Sequence, residues 1–313
     1  MTGSLRVVSL LPSATEMIYF VGAGDSLVGV THECDYPPGV EDLPKLTSTP
    51  IDHHRLSSPE IDAAIGEHLA DTGSIYHLDA KLLEELKPNL ILTQGLCDVC
   101  AVSLGVVEKA AAGFSEAPRV HSMNPTSLSE VLDATAEVGD AVGRGMETRA
   151  RISALETRLA HVEEAVARRP RPRVGCIEWL DPPFSAGHWV PEMVRIAGGE
   201  ELFAGAGESS ARLTWEVVCE AAPEVLVLMP CGFDATRTLE EARALTEIPG
   251  WTGLPAVSNE RVWAVDANSY FSRPAPRLVE GVEILAHILH PAVFSGAPEP
   301  AVATRLAVSA ARR

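Results

Sequence analysis

The sequence predicts an α/β protein with two similar lobes, each built on a central parallel sheet, joined by one long rigid helix with a ligand cleft between the lobes. Three observations indicate this fold class. A helical stripe of apolar residues runs through residues 126–169, strands alternate with helices on both sides of it, and short motifs recur in the same order in the two halves. The predicted boundaries are 1–125 for the N-terminal lobe, 126–169 for the helix, 170–294 for the C-terminal lobe and 295–313 for a loose tail.

The linking helix is predicted from apolar residues spaced three and four positions apart. Ser127 and Glu130 form a capping-box pattern, and Pro170 stops the helix. About 40 residues at 1.5 Å each would span roughly 60 Å, longer than a helix that crosses one sheet. A coiled-coil arm is the alternative, but no partner heptads occur elsewhere. The stripe comprises Leu128, Val131, Val138, Val142, Met146, Ile152, Leu155, Leu159, Val162 and Val166, and three glycines are expected to bend it, namely Gly139, Gly143 and Gly145.

Strands and helices are predicted to alternate within each lobe. Strands are expected at residues 5–11, 27–30, 89–93 and 119–122, and again at 173–177, 225–229 and 262–265. Helices are expected at residues 14–21, 59–70 and 79–87, and again at 190–197, 215–222 and 277–290. The halves also share motifs, because residues 86–92 parallel residues 221–227 and residues 16–18 parallel residues 192–194.

Composition and charge restrict the class of partner. The chain has 313 residues, 46% hydrophobic and 22% charged, which are values of a globular protein. A net charge of −18 argues against binding to nucleic acid or to an anionic membrane surface, because the long-range field repels both. Arg6 leads directly into the first strand, with no basic region followed by an apolar run. The sequence therefore predicts a cytoplasmic, monomeric protein whose six cysteines are thiols.

The predicted binding site lies where the strands end, because ligands of parallel α/β sheets sit outside the carboxyl ends of the strands. A small-molecule ligand is therefore expected in a cleft lined by the unusual strand-end loops. These loops are 31–38, 94–100, 178–189, 230–233 and 266–273.

Motifs along residues 5–290 carry a resemblance to a known family: Arg6-Val7-Val8-Ser9-Leu10 with Pro12 and Thr15-Glu16, Val28-Gly29-Val30 followed by Asp35-Tyr36-Pro37-Pro38, Leu86-Lys87-Pro88-Asn89-Leu90-Ile91, Pro182-Pro183-Phe184 with Gly187, Gly198-Gly199-Glu200, and Phe271 with Pro276-Arg277. In this order they resemble the helical-backbone (cobalamin and iron-complex) class of substrate-binding proteins, most closely the cobalamin-binding proteins of ABC importers. The resemblance implies two lobes joined by a rigid helix, cobalamin or another corrinoid as ligand, and no catalytic cofactor. It also implies that Tyr36 and Phe184 pack on the corrin.

The chain departs from the family pattern in features that bear on delivery to a transporter. No export signal is recognised, and residues 41–75 resemble an insertion. Glu216 matches the acidic docking position of the second lobe, whereas Lys81 occupies the corresponding position of the first. These departures make docking to an ABC transporter doubtful, with Glu216 as the candidate docking residue.

Side chains in the strand-end loops have the chemistry to hold a flat metal chelate such as a corrin. Aromatic faces cover an apolar ring, polar groups meet its rim, and imidazole is the commonest metal ligand. The alternatives are that Trp189 and Phe271 fill the tops of the lobes and that the histidines are solvated. The predicted ligand-binding residues are Tyr36, Phe184, Trp189 and Phe271 for the ring, Gln94, Ser185 and Arg273 for the rim, and His32 and His188 for the metal.

Cys97 and Cys100 form the alternative site. A two-residue gap lets both sulfurs reach one ion, which would make the chain a cytoplasmic thiol-rich metal-binding or redox protein on the same scaffold. Cysteines are also common in protein cores, so structural thiols remain open. Glu178 and Asp181 lack a nucleophile and an orienting partner, so no enzymatic activity is expected.

Overall fold

The computed structural model describes residues 4–53, 55–72, 74–95, 101–296 and 298–307 of the chain. The chain divides into two compact units, each with its own parallel sheet. The first lobe comprises residues 1–56, 60–125 and 129–153, and the second lobe comprises residues 57–59, 126–128 and 154–313. The predicted two-lobe α/β class with parallel sheets and a long helix is confirmed.

The first lobe is built on a four-stranded parallel sheet. Its strands are β1 (Val7–Ser9), β2 (Leu27–Gly29), β5 (Leu90–Thr93) and β6 (Arg119–Ser122), in the order β2-β1-β5-β6, and a separate antiparallel pair is formed by β3 (Thr47–Ser48) and β4 (His77–Leu78). All four residues of β5 are buried, as expected for a strand covered on both faces. The helices are α1 (Pro12–Phe20), α2 (Ser58–Thr72), α3 (Ala80–Leu86), α4 (Leu104–Ala112) and α5 (Leu128–Ala141).

The predicted continuous helix over residues 126–169 is interrupted, and this part of the prediction is wrong. Helix α5 ends at Ala141, and α6 (Gly145–Val166) begins after a turn in which Gly143 has a φ of +74°. This left-handed conformation suits glycine and cannot continue a helix. At the corner, Asp140 and Arg149 form a two-point ion pair at 2.9 and 2.6 Å. Met146, assigned to the apolar stripe, is 85% exposed.

Helix α6 is the long helix of the fold. Its 22 residues correspond to about 33 Å at 1.5 Å per residue, roughly half of the predicted span. The boundary between the two units falls within it, between Ser153 and Ala154. Among the described residues, no helix is both long and apolar enough to cross a membrane.

The second lobe is built on a mixed sheet whose central strands are parallel. The order is β12-β11-β10-β7-β8, with β9 beside β7, formed by β7 (Arg173–Leu180), β8 (Pro183–Ser185), β9 (Glu200–Glu201), β10 (Val225–Leu228), β11 (Val262–Val265) and β12 (Ala303–Arg305). Strands β8 and β12 run antiparallel at the edges. The helices are α7 (Val190–Ile196), α8 (Trp215–Ala221), α9 (Ala235–Ala242), α10 (Pro255–Ser258), α11 (Ala267–Tyr270) and α12 (Leu278–Leu289).

Two segments of the second lobe differ from the sequence prediction. Residues 178–189, predicted as a loop, continue β7 to Leu180 and return as β8, so that Trp179 pairs with Phe184. The tail predicted to be loose contributes β12, in which Thr304 pairs with Ala264 of β11. Both strands lie at sheet edges, where long-range pairing orders segments that are too short for a clear hydrophobic period.

The predicted repeat between the halves corresponds to the same local structure in each lobe. The guanidinium of Arg6 donates to the Leu86 carbonyl at 2.7 Å, and that of Arg173 donates to the Ala221 carbonyl at 2.6 Å. The residues that follow, Lys87 and Ala222, have φ values of 46° and 47° and precede a proline in both lobes. Each lobe therefore ends a short helix in the same way before its next strand begins.

Candidate ligand-binding site

The loop after β2, at the carboxyl edge of the first-lobe sheet, carries His32 and Tyr36. Tyr36 is 40% exposed, so its ring is accessible from solvent. His32 is half-buried, with Nδ1 at 2.8 Å from the Thr47 hydroxyl and Nε2 at 3.1 Å from Oε1 of Glu33. Both ring nitrogens face polar neighbours in the wall of the lobe. The metal-ligand role predicted for His32 therefore has less structural support than the ligand contact predicted for Tyr36.

A small hollow adjoins this loop within the first lobe. Its cavity volume is about 10 Å³, room for about one water molecule. The hollow by itself is therefore too small for a corrin. Its lining residues are Leu10, Pro12, Thr31, Glu33, Thr47, Tyr76, Ala101 and Val102.

The ends of β5 and β6 carry further polar groups. Gln94 follows β5 and is 5% exposed. Thr93 and Ser122 are opposite each other in the parallel register, and within the described part of the chain neither buried hydroxyl has a hydrogen-bond partner. Sequence reasoning missed both residues, because hydroxyl side chains at strand ends are common.

Among the cysteines that the structure describes, no group of thiols forms a metal site. Cys97 and Cys100 lie outside the described residues. Cys34 is buried in the first lobe, with its sulfur 3.1 Å from the Thr15 hydroxyl and 3.2 Å from the Thr31 hydroxyl. Over the ranges that the structure describes, no cluster of histidine, cysteine, aspartate and glutamate side chains is arranged to hold a metal ion.

Three predicted contact residues of the second lobe belong to its interior. Trp189 and Phe271 are 7% and 2% exposed, and the indole N–H of Trp189 donates to the Phe271 carbonyl at 2.7 Å. Ser185 is fully buried, and its hydroxyl accepts the Ala211 N–H at 3.0 Å. These contacts favour the alternative that the aromatic pair fills the top of the lobe.

The other predicted contact residues of the second lobe are Phe184, His188 and Arg273. The first two are half-buried, and Arg273 is hydrogen-bonded. Phe184 is half-buried on β8, with the Arg212 guanidinium carbon 5.9 Å from its ring centroid. His188 has a φ of +54°, and burial lowers its pKa, which favours the neutral imidazole. Arg273 is 9% exposed and donates to Oδ1 of Asn268 at 2.9 Å. The predicted roles of these residues in ligand binding remain predictions.

Sequence reasoning missed Phe233, which joins Trp179 in an aromatic group at the ends of β7 and β10. The rings of Trp179 and Phe233 lie 5.5 Å apart, and the Arg237 guanidinium carbon is 3.8 Å from the Phe233 centroid. The indole nitrogen of Trp179 is buried and has no partner among the described residues. Trp179 lies beyond the predicted end of the strand. Had the strand been extended, the alternation of side chains along β7 could have predicted which face of the sheet Trp179 occupies.

The sequence analysis also missed a buried acid, Glu201. Glu201 pairs with Val174 in the sheet, and its carboxyl group is enclosed although part of the residue is exposed. Burial raises its pKa to about 8, while contacts with the Cys176 thiol and the Phe203 N–H oppose the shift. Burial and the neighbouring Glu201 raise the pKa of Cys176 well above the usual value of a thiol. Glu201 lies beside the second residue of β7, and Cys176 is the fourth of the eight residues of that strand.

Two lobes on parallel sheets, with aromatic and polar side chains at the carboxyl edges, define the class of two-lobed solute-binding proteins. Residues 7–268 match the family described as Periplasmic binding protein, and the chain belongs to this family. The family is one of binding proteins, so the expectation that the chain is not an enzyme is confirmed.

Individual relatives and solved structures agree with this assignment. The chain is 25% identical over 297 residues to the uncharacterized ABC transporter substrate-binding lipoprotein YvrC of Bacillus subtilis, covering 92% of this chain and 81% of that protein. It is 25% identical over 295 residues to a vitamin B12-binding protein of Vibrio cholerae, covering 89% and 86%. The structure of the vitamin B12 binding protein BtuF of Vibrio cholerae matches with a TM-score of 0.67 and 23% identity over 92% and 97% of the chains. A periplasmic heme binding protein of Pseudomonas aeruginosa matches with a TM-score of 0.71 and 18% identity over 97% and 98%.

The prediction of a cytoplasmic protein is wrong. The family is one of periplasmic binding proteins, and the Bacillus subtilis relative is a lipoprotein. The prediction depended on the pattern of the first residues of the chain. The thiol-rich metal-binding or redox alternative has no support in these comparisons.

Proposed function

We propose that this protein binds a corrinoid such as cobalamin, or a similar metal chelate, and delivers it to an ABC transporter. The name of the Vibrio cholerae relative, vitamin B12-binding protein, supports the ligand class. The name of the Bacillus subtilis relative, an ABC transporter substrate-binding lipoprotein, supports the delivery step.

The observation that carries the proposal is the exposure of Tyr36. Among the large apolar side chains that the structure describes as exposed, Tyr36 is the one aromatic residue, at 40% exposure. It lies at the carboxyl edge of a parallel sheet, where ligands of α/β proteins bind. It also occupies the loop position at which the resembling family packs a tyrosine on the corrin. Phe184, half-buried in the second lobe, occupies the other such position.

Aromatic contacts of this kind suffice for useful affinity. Two rings that cover apolar ligand surface contribute on the order of 3–5 kcal/mol together, from the area removed from water. With additional polar contacts at the rim, micromolar or tighter binding is expected after the cost of association is subtracted.

Calorimetric titration of the purified protein with cobalamin and cobinamide tests the proposal. One corrinoid is expected to bind per chain, and Tyr36→Ala and Phe184→Ala are each expected to weaken binding about tenfold, or ~1.4 kcal/mol. Tyr36→Phe is the matched control, because it keeps the ring and should preserve the affinity. Absence of both heat and spectral shift with either corrinoid at high micromolar concentration would discard the corrinoid.

Haem is the second candidate ligand, and the arginines of the second lobe favour it. Arg237 lies against Phe233 and Arg212 lies near Phe184 at the carboxyl edge. Guanidinium groups pair well with carboxylates and phosphates, and haem carries two carboxylates whereas cobalamin carries a single phosphodiester. Titration with haem, followed by its Soret absorption, separates the two candidates.

A further inference from the structure

We infer that the first lobe carries a subsite for an oxyanion, a carboxylate or a phosphate group, at the carboxyl ends of β5 and β6. The geometry of the first lobe supports the subsite by itself. That it receives the anionic group of the bound chelate rests on the function proposed above.

Two unpaired hydroxyls form one side of this subsite. Thr93 and Ser122 are direct neighbours in the register of adjacent parallel strands, which run about 4.8 Å apart. Thr93 is fully buried, and neither its Oγ1 nor the Oγ of Ser122 has a partner within the described ranges. A buried hydroxyl without a partner is unfavourable, because it has lost its hydrogen bonds to water and gained none in return. Two such groups side by side are available to donate hydrogen bonds to a bound acceptor.

The beginning of α4 forms the other side. Ile91 and Val120, two positions before the hydroxyl residues, pack in one apolar cluster with Val107 of α4. Because side chains alternate along a strand, Thr93 and Ser122 lie on this same face, the face that α4 covers. The two hydroxyls therefore lie on the side of the sheet where α4 begins.

Gly95 has the first residue of α4 and Ser122 among its near neighbours. A Cβ added to Gly95 would lie 3.6 Å from Cδ2 of Leu104 and 3.8 Å from Oγ of Ser122. Ser103, at the N-cap position, makes no side-chain cap bond, and the first turn of this nine-residue helix contains no acidic side chain. The first N–H groups of a helix and its positive dipole end attract anions.

This combination of donors selects the chemistry of the occupant. Two hydroxyls can donate hydrogen bonds, and the N–H groups of the first helical turn can only donate. An occupant that accepts from several directions and carries negative charge satisfies them together, as a carboxylate or a phosphate does. The Gly95 N–H donates to Oδ1 of Asn124 at 2.6 Å, which fixes the backbone beside the subsite.

Thermal unfolding in inorganic phosphate and in acetate, at constant ionic strength, tests the subsite directly. An anion that binds the folded protein raises its Tm by mass action. The wild type should be stabilised by at least one of the two anions, and the double variant Thr93→Val, Ser122→Ala should lose that response. Thr135→Val is the matched control, because the hydroxyl of this buried threonine already donates to the Val131 carbonyl at 2.8 Å. The control should keep the wild-type response. Equal responses of the wild type and the double variant, or no response of the wild type to either anion, would overturn the inference.

Ligand titrations test whether the anionic group of the bound chelate occupies the subsite. Cobinamide lacks the phosphodiester of cobalamin, and haem dimethyl ester lacks the carboxylates of haem. The double variant should bind cobalamin or haem about tenfold more weakly, while the affinity for the matching analogue without the anionic group stays within twofold. Equal loss for ligand and analogue would contradict the inference. If the wild type binds none of the four compounds, the proposed function fails, and the phosphate and acetate titrations still decide the subsite.

Discussion

The indole N–H of Trp189 donates a 2.7 Å hydrogen bond to the backbone carbonyl of Phe271, and both side chains are buried in the second lobe. Trp189 immediately precedes α7 and Phe271 immediately follows α11, so the bond joins two segments at the carboxyl edge of one sheet. Two aromatic residues that the sequence predicts as ligand contacts therefore pack in the interior of the lobe.

Replacing Trp189 is expected to lower the free energy of unfolding. Trp189→Ala should cost about 3–5 kcal/mol, because it removes a large buried side chain. Trp189→Phe should cost about 1–3 kcal/mol, because it leaves the Phe271 carbonyl unpaired. Urea denaturation followed by circular dichroism measures both. Phe184→Ala is the control, with a smaller cost because its ring is half-buried. A Trp189→Ala variant with wild-type stability and lost ligand binding would instead identify Trp189 as a ligand contact.

Glu201 is expected to make stability depend on pH. Its pKa is raised from 4.5 to about 8 by burial, so the folded protein holds a proton there that the unfolded chain releases. This contribution to stability is fully present below pH 4.5 and is lost as the pH rises through about 8, at up to about 1.4 kcal/mol per pH unit.

Glu201→Gln should flatten that dependence, because the amide cannot ionise. Urea unfolding of the wild type and the variant between pH 5 and pH 8 (roughly the window between the two pKa values) measures the difference in slope. Glu200→Gln, on the same strand but exposed, is the matched control and should keep the wild-type slope. Parallel pH profiles for the wild type and Glu201→Gln would show that the carboxyl is not buried.

Replacing Gly139, at the corner between α5 and α6, is expected to lower the stability of the protein. A Cβ at this position would lie 2.3 Å from Oγ1 of Thr148, a fully buried residue. Gly139→Ala should therefore destabilise the protein by about 1–3 kcal/mol, although alanine favours helix formation. Gly66→Ala in α2 is the control, because nothing lies within 4 Å of its added Cβ, and it should gain up to about 1 kcal/mol. Thermal unfolding distinguishes the opposite signs, and a stabilising Gly139→Ala would refute the tight corner.

Glu216 is expected to affect delivery to the transporter and not ligand affinity, and Lys81 is its counterpart in the first lobe. Each is the second residue of a short helix that ends in the same turn, α8 and α3. Hydrogen bonds from its own backbone N–H and from Thr214 lower the pKa of Glu216, which keeps it ionised. Glu216→Lys should reduce uptake by the transporter about tenfold, whereas Lys81→Glu should not reduce it. Uptake into vesicles measures delivery, and calorimetry measures ligand affinity. A loss of ligand affinity in Glu216→Lys would rule out a docking role.

The sequence specified those features that depend on local pattern. Continuous apolar runs such as residues 90–93 predicted the buried parallel strands, because a strand covered on both faces has no polar side. Pro88 and Pro223 predicted the helix ends, since proline cannot continue a helix. The repeat of these signals indicated two similar lobes, and the similar turns at Lys87 and Ala222 now give it a structural basis.

Tertiary structure decided which of the candidate side chains reach the surface. Tyr36 and Trp189 are both aromatic residues at strand-end loops, and only packing against the rest of the lobe leaves one exposed and the other buried. Likewise, Glu201 becomes a buried acid because β9 pairs with β7, and residues 303–305 become a strand because β11 has an open edge. Burial and edge pairing are sums over contacts distant in sequence. Local periodicity therefore determines the elements and their order, whereas the fold determines which side chains remain exposed to a ligand.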